Sequence, residues 1–174
     1  MPHLHTKPGQ YDHTVSAYII RTDFAEPKLM LHKHKKLGRW MQFGGHIELN
    51  ENPWQAICHE LQEETGYQMS QLKVLQPPER LKLSTDGNLH PVPASYFSHP
   101  FVGEDHFHSD AGFILVASES PAGAVSDGEV TEFEFFSAAE LAKLDTFADV
   151  RDIGLFGLNT CLPNWEQVPA TDYN

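Results

Sequence analysis

Hydrophobic and polar residues alternate in several stretches of the chain, and this pattern predicts β-strands. The first three strands are predicted over residues 13 to 21, 28 to 34, and within 37 to 48, where the strand ends at Gly44 and Gly45. Later strands are predicted over residues 72 to 76, 90 to 98, 106 to 118 and 131 to 137. Two adjacent glycines mark a turn, or a place where the backbone approaches another group closely.

A helix is predicted over residues 53 to 65. In this segment hydrophobic residues recur every three or four positions, whereas in the predicted strands they recur every two. Asn52 is a suitable N-cap, Pro53 suits the first helical position, and Gly66 suits the residue after the helix. Shorter helices are expected over residues 138 to 144 and within 147 to 162. The order of strands and helices predicts an α/β fold, a mixed sheet covered by helices on both faces.

The predicted helix carries Glu60, Glu63 and Glu64 near its C-terminal end, away from its apolar stripe. Carboxylates at these spacings repel one another and the negative end of the helix dipole. A divalent cation would reverse the sign of this interaction, because hard cations such as Mg²⁺ prefer oxygen ligands. The alternative is a solvated acidic face with no bound ion.

Length and charge narrow the classes of function. The length of 174 residues fits a single domain. We predict a polar tail over residues 1 to 12, the domain over 13 to 163, and a C-terminal tail over 164 to 174. A net charge of −12 argues against nucleic-acid or anionic-membrane partners. The N-terminus does not resemble a signal peptide, and the two cysteines match no metal or redox spacing, so we expect a cytoplasmic protein.

Five basic residues are concentrated just before the glycine pair. They are Lys28, Lys33, Lys35, Lys36 and Arg39. The pattern fits either a solvated hairpin turn or a local patch that attracts anions such as phosphate.

The sequence GHIELNENPWQAICHELQEETGY, residues 45 to 67, resembles the signature box of the Nudix hydrolases. The matching positions are Gly45, Glu51, Glu60, Leu61, Glu63, Glu64 and Gly66, with Tyr67 in the last apolar place. Weaker likeness extends over about residues 13 to 145. The resemblance implies an α/β/α sandwich with a central mixed sheet.

The resemblance also implies a reaction and a metal site. Glu60, Glu63 and Glu64 would bind Mg²⁺ or Mn²⁺, and the carbonyl of Gly44 would complete the site. The implied activity is a metal-dependent pyrophosphohydrolase, in which water attacks the diphosphate linkage of a nucleoside diphosphate derivative. The catalytic base is expected to be Glu63 or Glu129.

The chain departs from the family pattern at position 59, where His59 replaces the usual arginine of the box. A guanidinium is always charged and forked, whereas the charge of a histidine depends on pH and its neighbours. We therefore expect activity to depend on His59. The alternatives are a nucleotide-binding or sensing module with little or no turnover, and an isomerase or other enzyme on the same scaffold.

Candidate substrate-binding residues come from the basic segment and from the histidines. They are Lys33, Lys36, Arg39, His46, His106 and His108. Because His106, His108 and Asp110 alternate along a predicted strand, they share one face, which fits a transition-metal site, a polar strand surface or a substrate contact. A homodimer, the commonest closed assembly, is the oligomeric state to test.

Overall fold

The computed structural model describes residues 10 to 80, 92 to 98, 101 to 102, 106 to 128 and 132 to 173. In that part of the chain ten strands form one sheet: β1 (Tyr11–Arg21), β2 (Lys28–Lys33), β3 (Trp40–Met41), β4 (Phe43–His46), β5 (Leu72–Gln76), β6 (Tyr96–Ser98), β7 (Phe101–Val102), β8 (His106–Ala117), β9 (Phe133–Phe136) and β10 (Glu166–Pro169). The α-helices are α1 (Pro53–Thr65), α2 (Ala138–Leu141), α3 (Ala148–Phe156) and α4 (Leu162–Asn164). None of the described helices has the length and hydropathy to cross a membrane.

Strand β1 is the centre of the sheet. It runs parallel to β8, with Tyr11 opposite Phe107 and Arg21 opposite Ala117 at the two ends. On its other side β1 has two antiparallel neighbours, β4 along its N-terminal half and β2 along its C-terminal end. The sheet is therefore mixed, as the sequence predicts, and β1 lies between the two strands that carry the histidines of interest.

The two faces of the sheet have separate hydrophobic cores. Alternate residues of β1, beginning at Val15, pack with Trp54, Ile57 and Leu61 of α1 on one face. The intervening residues, including Tyr18, pack with α3 on the other face. This arrangement confirms the predicted α/β/α architecture.

Helix α1 has the bounds that the sequence predicts, because its start and stop signals are local. The side chain of Asn52 accepts hydrogen bonds from the backbone N–H groups of Trp54 and Gln55, each 2.9 Å long. Gly66 ends the helix at a φ of +75°, in the left-handed region. A Cβ atom at Gly66 would also lie 2.7 Å from the carbonyl carbon of Gly123, so a second loop packs against this end of the helix.

The described part of each predicted tail contains residues of the sheet. Tyr11 and Asp12 belong to β1, and residues 166 to 169 form β10, which pairs with β5. The predicted third strand is divided into β3 and β4. Pairing with a distant strand stabilises each of these segments, and the local sequence does not encode that pairing.

The predicted last helix is not a continuous α-helix, because a π-helical segment lies within it. Helix α3 continues through a π-helical turn, Gly157–Cys161, before α4 begins. Gly154 allows the close approach of α3 to the sheet, since a Cβ atom there would lie 2.6 Å from a methyl group of Leu29. Helix α2 ends at Leu141, earlier than the predicted residue 144.

Candidate active site

The glycine pair of β4 lies against α1. A Cβ atom at Gly44, whose φ is +136°, would lie 2.9 Å from the carbonyl carbon of Val15 on β1. A Cβ atom at Gly45 would lie 2.6 Å from the carboxylate carbon of Glu60 on α1. Both distances are well inside ordinary carbon–carbon contact. A side chain at Gly44 would collide with the backbone of β1, so glycine is required there, whereas a side chain at Gly45 would displace the carboxylate end of Glu60.

Two of the three glutamates are buried in this contact. Glu60 is 7% exposed and Glu64 is 9% exposed. The backbone N–H of Gly44 donates a 2.9 Å hydrogen bond to Oε2 of Glu64. The glycine pair therefore contacts one carboxylate sterically and binds the other by a hydrogen bond.

This burial corrects the prediction that all three carboxylates lie away from the apolar stripe. At about 100° per residue, Glu64 lies only roughly 20° around the helix from Ile57, at the edge of the buried side. Glu63 lies on the outer side, and its side chain is 44% exposed. The helix thus presents two carboxylates to the sheet and one to solvent.

His59 lies between two glutamates of the box. Its Nε2 is 3.1 Å from Oε1 of Glu63, and its Nδ1 is 3.8 Å from Oε2 of Glu51. Partial burial lowers the pKa of His59, but the hydrogen bond to Glu63 and the charges of Glu63, Glu51 and Glu60 together raise it above its usual value. In the protonated imidazole both ring nitrogens carry a hydrogen, so each can donate to one of the two carboxylates.

Glu51 also fixes the turn before the helix. Its Oε1 accepts a 2.9 Å hydrogen bond from the backbone N–H of Glu48. One carboxylate thus joins the β4–α1 loop to His59, and through His59 to Glu63. Gly45, Glu51 and Gly66, the predicted structural residues of the motif, each have an identifiable packing or hydrogen-bonding role.

The loop after β8 packs along the C-terminal end of α1. The backbone N–H of Gly123 donates to the carbonyl of Gly66 over 2.9 Å, and that of Ser126 donates to the carbonyl of Glu63 over 2.8 Å. The loop therefore packs against the backbone of α1 at Glu63. Glu129, the second candidate base, lies outside the described residues.

The predicted basic residues form local contacts in the hairpin and its surroundings. Lys33 Nζ is 3.4 Å from Oε1 of Glu132, and the guanidinium of Arg39 is 4.0 Å from Asp145. Lys36 is exposed in the turn between β2 and β3. These ion pairs are at the surface, where such pairs are weak. The side chains of Lys33 and Arg39 can therefore exchange these partners for an anionic solute.

The histidines are grouped differently from the sequence prediction. His46 and His108 lie together with Asp12, and one side-chain donor atom from each lies within 4.8 Å of the others. Asp110 is instead buried beneath hydroxyl groups, accepting hydrogen bonds of 2.8 Å from Thr14 and 3.0 Å from Ser16. Burial raises the pKa of Asp110, although these two hydrogen bonds oppose the shift.

The structure does not place the predicted residue His106, and it adds Asp12, which the sequence does not single out. The side chain of His106 lies outside the described part of the structure. Asp12 was assigned by sequence to a polar tail, and no local signal identifies it, because only the pairing of β1 with β4 and β8 brings it beside the histidines.

The comparisons with known proteins decide the family. The family model of the NUDIX domain matches residues 12–153, most of the chain. The chain belongs to the Nudix family. The Nudix chain is accordingly a hydrolase of phosphorus-containing anhydrides. No curated protein matches it closely enough to count as a relative.

Solved structures share the Nudix fold at low sequence identity. A crystal structure of a NUDIX-family hydrolase from Clostridium perfringens has a TM-score of 0.66 at 23% identity, covering 85% of this chain and 96% of its own. An Ap4A hydrolase binary complex from C. elegans has a TM-score of 0.66 at 15% identity, covering 87% and 98%. The NUDIX domain of Shewanella oneidensis NrtR, complexed with ADP ribose, has a TM-score of 0.59 at 15% identity, covering 83% and 84%.

Proposed function

We propose that the Nudix chain is a divalent-metal-dependent pyrophosphohydrolase that cleaves the diphosphate linkage of a nucleoside diphosphate derivative. The observation that carries the proposal is the burial of Glu60 and Glu64, one helical turn apart, against the glycine pair of β4. Two anionic groups so close together and so far from solvent are unfavourable for folding unless cationic or hydrogen-bonding groups compensate them.

The donor set fits Mg²⁺ or Mn²⁺. Carboxylate oxygens and a backbone carbonyl are hard ligands, and Mg²⁺ usually binds through one or two carboxylates, water and substrate phosphates. We assign the metal to Glu60 and Glu64, with Glu63 and the carbonyl of Gly44 as further ligands. When bound, the cation would neutralise phosphate charge and favour ionisation of a water molecule.

The residues of the chain have distinct proposed roles. The Gly44 N–H orients Glu64 through its hydrogen bond, and the packing of Gly45 fixes the position of Glu60. Glu63 is exposed and can accept a proton from an incoming water, while His59 holds its Oε1 atom. Positioning and electrostatic stabilisation of this kind account for most of the catalysis in phosphoryl transfer.

Glu129 is the alternative proton acceptor. Its proposed role is supported by the hydrogen bond between Ser126 and the carbonyl of Glu63, because Ser126 precedes Glu129 by only three residues. Replacing Glu63 and Glu129 separately by Gln would identify the base as the residue whose loss lowers kcat most at saturating metal.

The substrate class is proposed from the family and from charge. Two structural neighbours have names that refer to Ap4A and ADP ribose, both of which contain phosphoanhydride linkages. The cations Lys33, Lys36 and Arg39 are proposed to attract the phosphates of such a substrate, although the protein as a whole is acidic.

The test is a hydrolysis screen of the full-length protein. Nucleoside triphosphates, nucleotide sugars, dinucleoside polyphosphates and ADP-ribose are incubated with the protein, with Mg²⁺ or Mn²⁺ or with a chelator. We expect turnover of at least one substrate class, dependent on the metal. Glu60→Gln should lower kcat by more than ~100-fold if its position is part of the catalytic geometry, whereas Glu134→Gln, an exposed glutamate of β9, should match the parent.

Two outcomes would contradict the proposal. Turnover that persists in chelator, or that survives Glu60→Gln, would show that the buried carboxylates are not the metal site. Tight binding of one nucleotide without turnover of any would favour the nucleotide-binding module.

A further inference from the structure

Three adjacent strands each contribute one potential metal ligand to the same face of the sheet. Asp12 on β1 lies directly opposite His108 on β8 in the parallel register. On the other side of β1, His46 on β4 is opposite Thr14, two residues from Asp12. Side chains at these register positions share a face. The set therefore arises from pairing between strands and is not a sequence motif.

The donor atoms are close enough for one ion. The three donor atoms lie within 4.8 Å of one another, and Asp12 Oδ2 is 3.0 Å from His46 Nε2. The rings of His46 and His108 meet nearly edge to face, with centroids 5.4 Å apart. Tetrahedral Zn²⁺ places its ligand atoms about 3.3–3.5 Å from one another, so small side-chain rotations would complete the site.

The set is separate from the carboxylate site of α1. Gly45 lies opposite Val15, on the face of the sheet that α1 covers. His46 is the next residue of β4, so its side chain points to the opposite face. The two sites therefore lie on opposite faces of the same strand.

The surroundings hold the three side chains in a largely buried position. Asp12 is 7% exposed, and the two histidines are partly buried. Beneath them, Asp110 accepts hydrogen bonds from Thr14 and Ser16, which fixes the packing of β1 against β8. A site of this kind needs no large rearrangement of the backbone to bind an ion.

We propose that Asp12, His46 and His108 form a second metal site, selective for a borderline transition-metal ion such as Zn²⁺ over Mg²⁺. Two imidazole nitrogens and one carboxylate are donors that favour Zn²⁺, Co²⁺ or Fe²⁺, whereas Mg²⁺ favours oxygen donors alone. Three protein ligands leave at least one position for water or an anionic ligand. The ion would join β4, β1 and β8.

The test measures Zn²⁺ binding by the full-length, untagged protein after treatment with chelator. Isothermal titration calorimetry is carried out in excess Mg²⁺, which competes for the carboxylate site, and Co²⁺ absorption reports the ligand type. We expect one Zn²⁺ equivalent and a Co²⁺ spectrum with nitrogen ligands. Loss of an outer hydrogen-bonding partner alone weakens metal sites by about 10–100-fold, so His108→Ala, which removes a ligand, should weaken binding at least ~100-fold.

Matched variants separate this site from others. His13→Ala removes an exposed histidine adjacent to Asp12 on the opposite face of β1, and should leave Zn²⁺ affinity unchanged. Glu64→Gln should also leave it unchanged, because it alters only the carboxylate site. The double variant His3→Ala/His5→Ala tests whether the N-terminal histidines bind the ion instead.

The measurement on the parent protein decides the proposal even if His108→Ala fails to fold, and Asp12→Asn provides a second variant of similar shape. Absence of Zn²⁺ binding in Mg²⁺ would overturn the proposal. It would also be overturned by Zn²⁺ binding that is lost in Glu64→Gln, or in the N-terminal double variant, but retained in Asp12→Asn.

Discussion

Gly45→Ala tests whether the position of the Glu60 carboxylate controls activity. The new Cβ atom would lie 2.6 Å from the carboxylate carbon of Glu60, whereas carbon atoms in contact are separated by about 3.5 Å or more. The carboxylate must therefore move by about 1 Å. A displacement of about 1 Å in an active site can lower the rate by about 100-fold, so we expect a similar fall in kcat/KM.

The assay compares three glycine variants by metal-dependent hydrolysis and by thermal unfolding. Gly157→Ala is the control, because its Cβ atom would lie 3.4 Å from Ile20 and Ile114, in ordinary contact and within a helical turn. It should retain parent activity. Gly44→Ala should instead destabilise the fold, since its φ of +136° is unfavourable for alanine and its Cβ atom would collide with the backbone of Val15.

The reasoning would be refuted by a Gly45→Ala protein that is folded and has parent activity at every metal concentration. A loss of activity that Gly157→Ala shares would also refute it, because the effect would then not depend on Glu60.

Three further predictions concern metal binding, the pH dependence of stability, and His59. Mg²⁺ should raise the Tm of the parent, and Glu64→Gln should remove most of the increase in calorimetry; an equal increase in both proteins would exclude Glu64 as a ligand. Burial, with the nearby charge of His34, lowers the pKa of His32 from 6.5 to about 4. The unfolded chain therefore binds this proton more readily than the folded protein does. The free energy of unfolding should be highest above pH 6.5 and should fall by on the order of 3 kcal/mol as the pH falls towards 4. His32→Gln should therefore flatten the dependence of unfolding free energy on pH in urea titrations, and an unchanged slope would contradict the assignment. His59→Ala should lower kcat because Glu63 loses its partner, while His59→Arg should retain activity; steady-state rates equal to the parent in both variants would show that His59 has no role.

Local sequence signals are sufficient to predict the bounds of an element where single residues determine the backbone conformation at its ends. The cap of Asn52, the proline at 53 and the left-handed Gly66 give α1 the bounds that the sequence predicts. The strands were identified approximately, because alternation reveals a half-buried face but not the partner strand. The pairing of β10 with β5 shows this difference, since residues 166 to 169 have no pattern that distinguishes a strand from a tail.

The candidate site also combines features that the sequence predicts with features that depend on tertiary contacts. The spacing of Glu60, Glu63 and Glu64 along one helix is a property of the sequence, and so is the resemblance of the box to the Nudix family. Burial of Glu60 and Glu64 is not, because it depends on how closely β4 approaches α1. The place of His59 within the box is visible in the sequence, but only the structure shows that His59 lies between Glu51 and Glu63.

The sequence by itself determined the family, the central helix and the three acidic side chains, because these depend on spacing along a single segment. The tertiary structure decided which carboxylates are buried and that Asp12 lies with His46 and His108. Those features depend on contacts between residues that are 15 to 96 positions apart in the chain. Strand register and helix packing, which are set by the whole fold, bring them together.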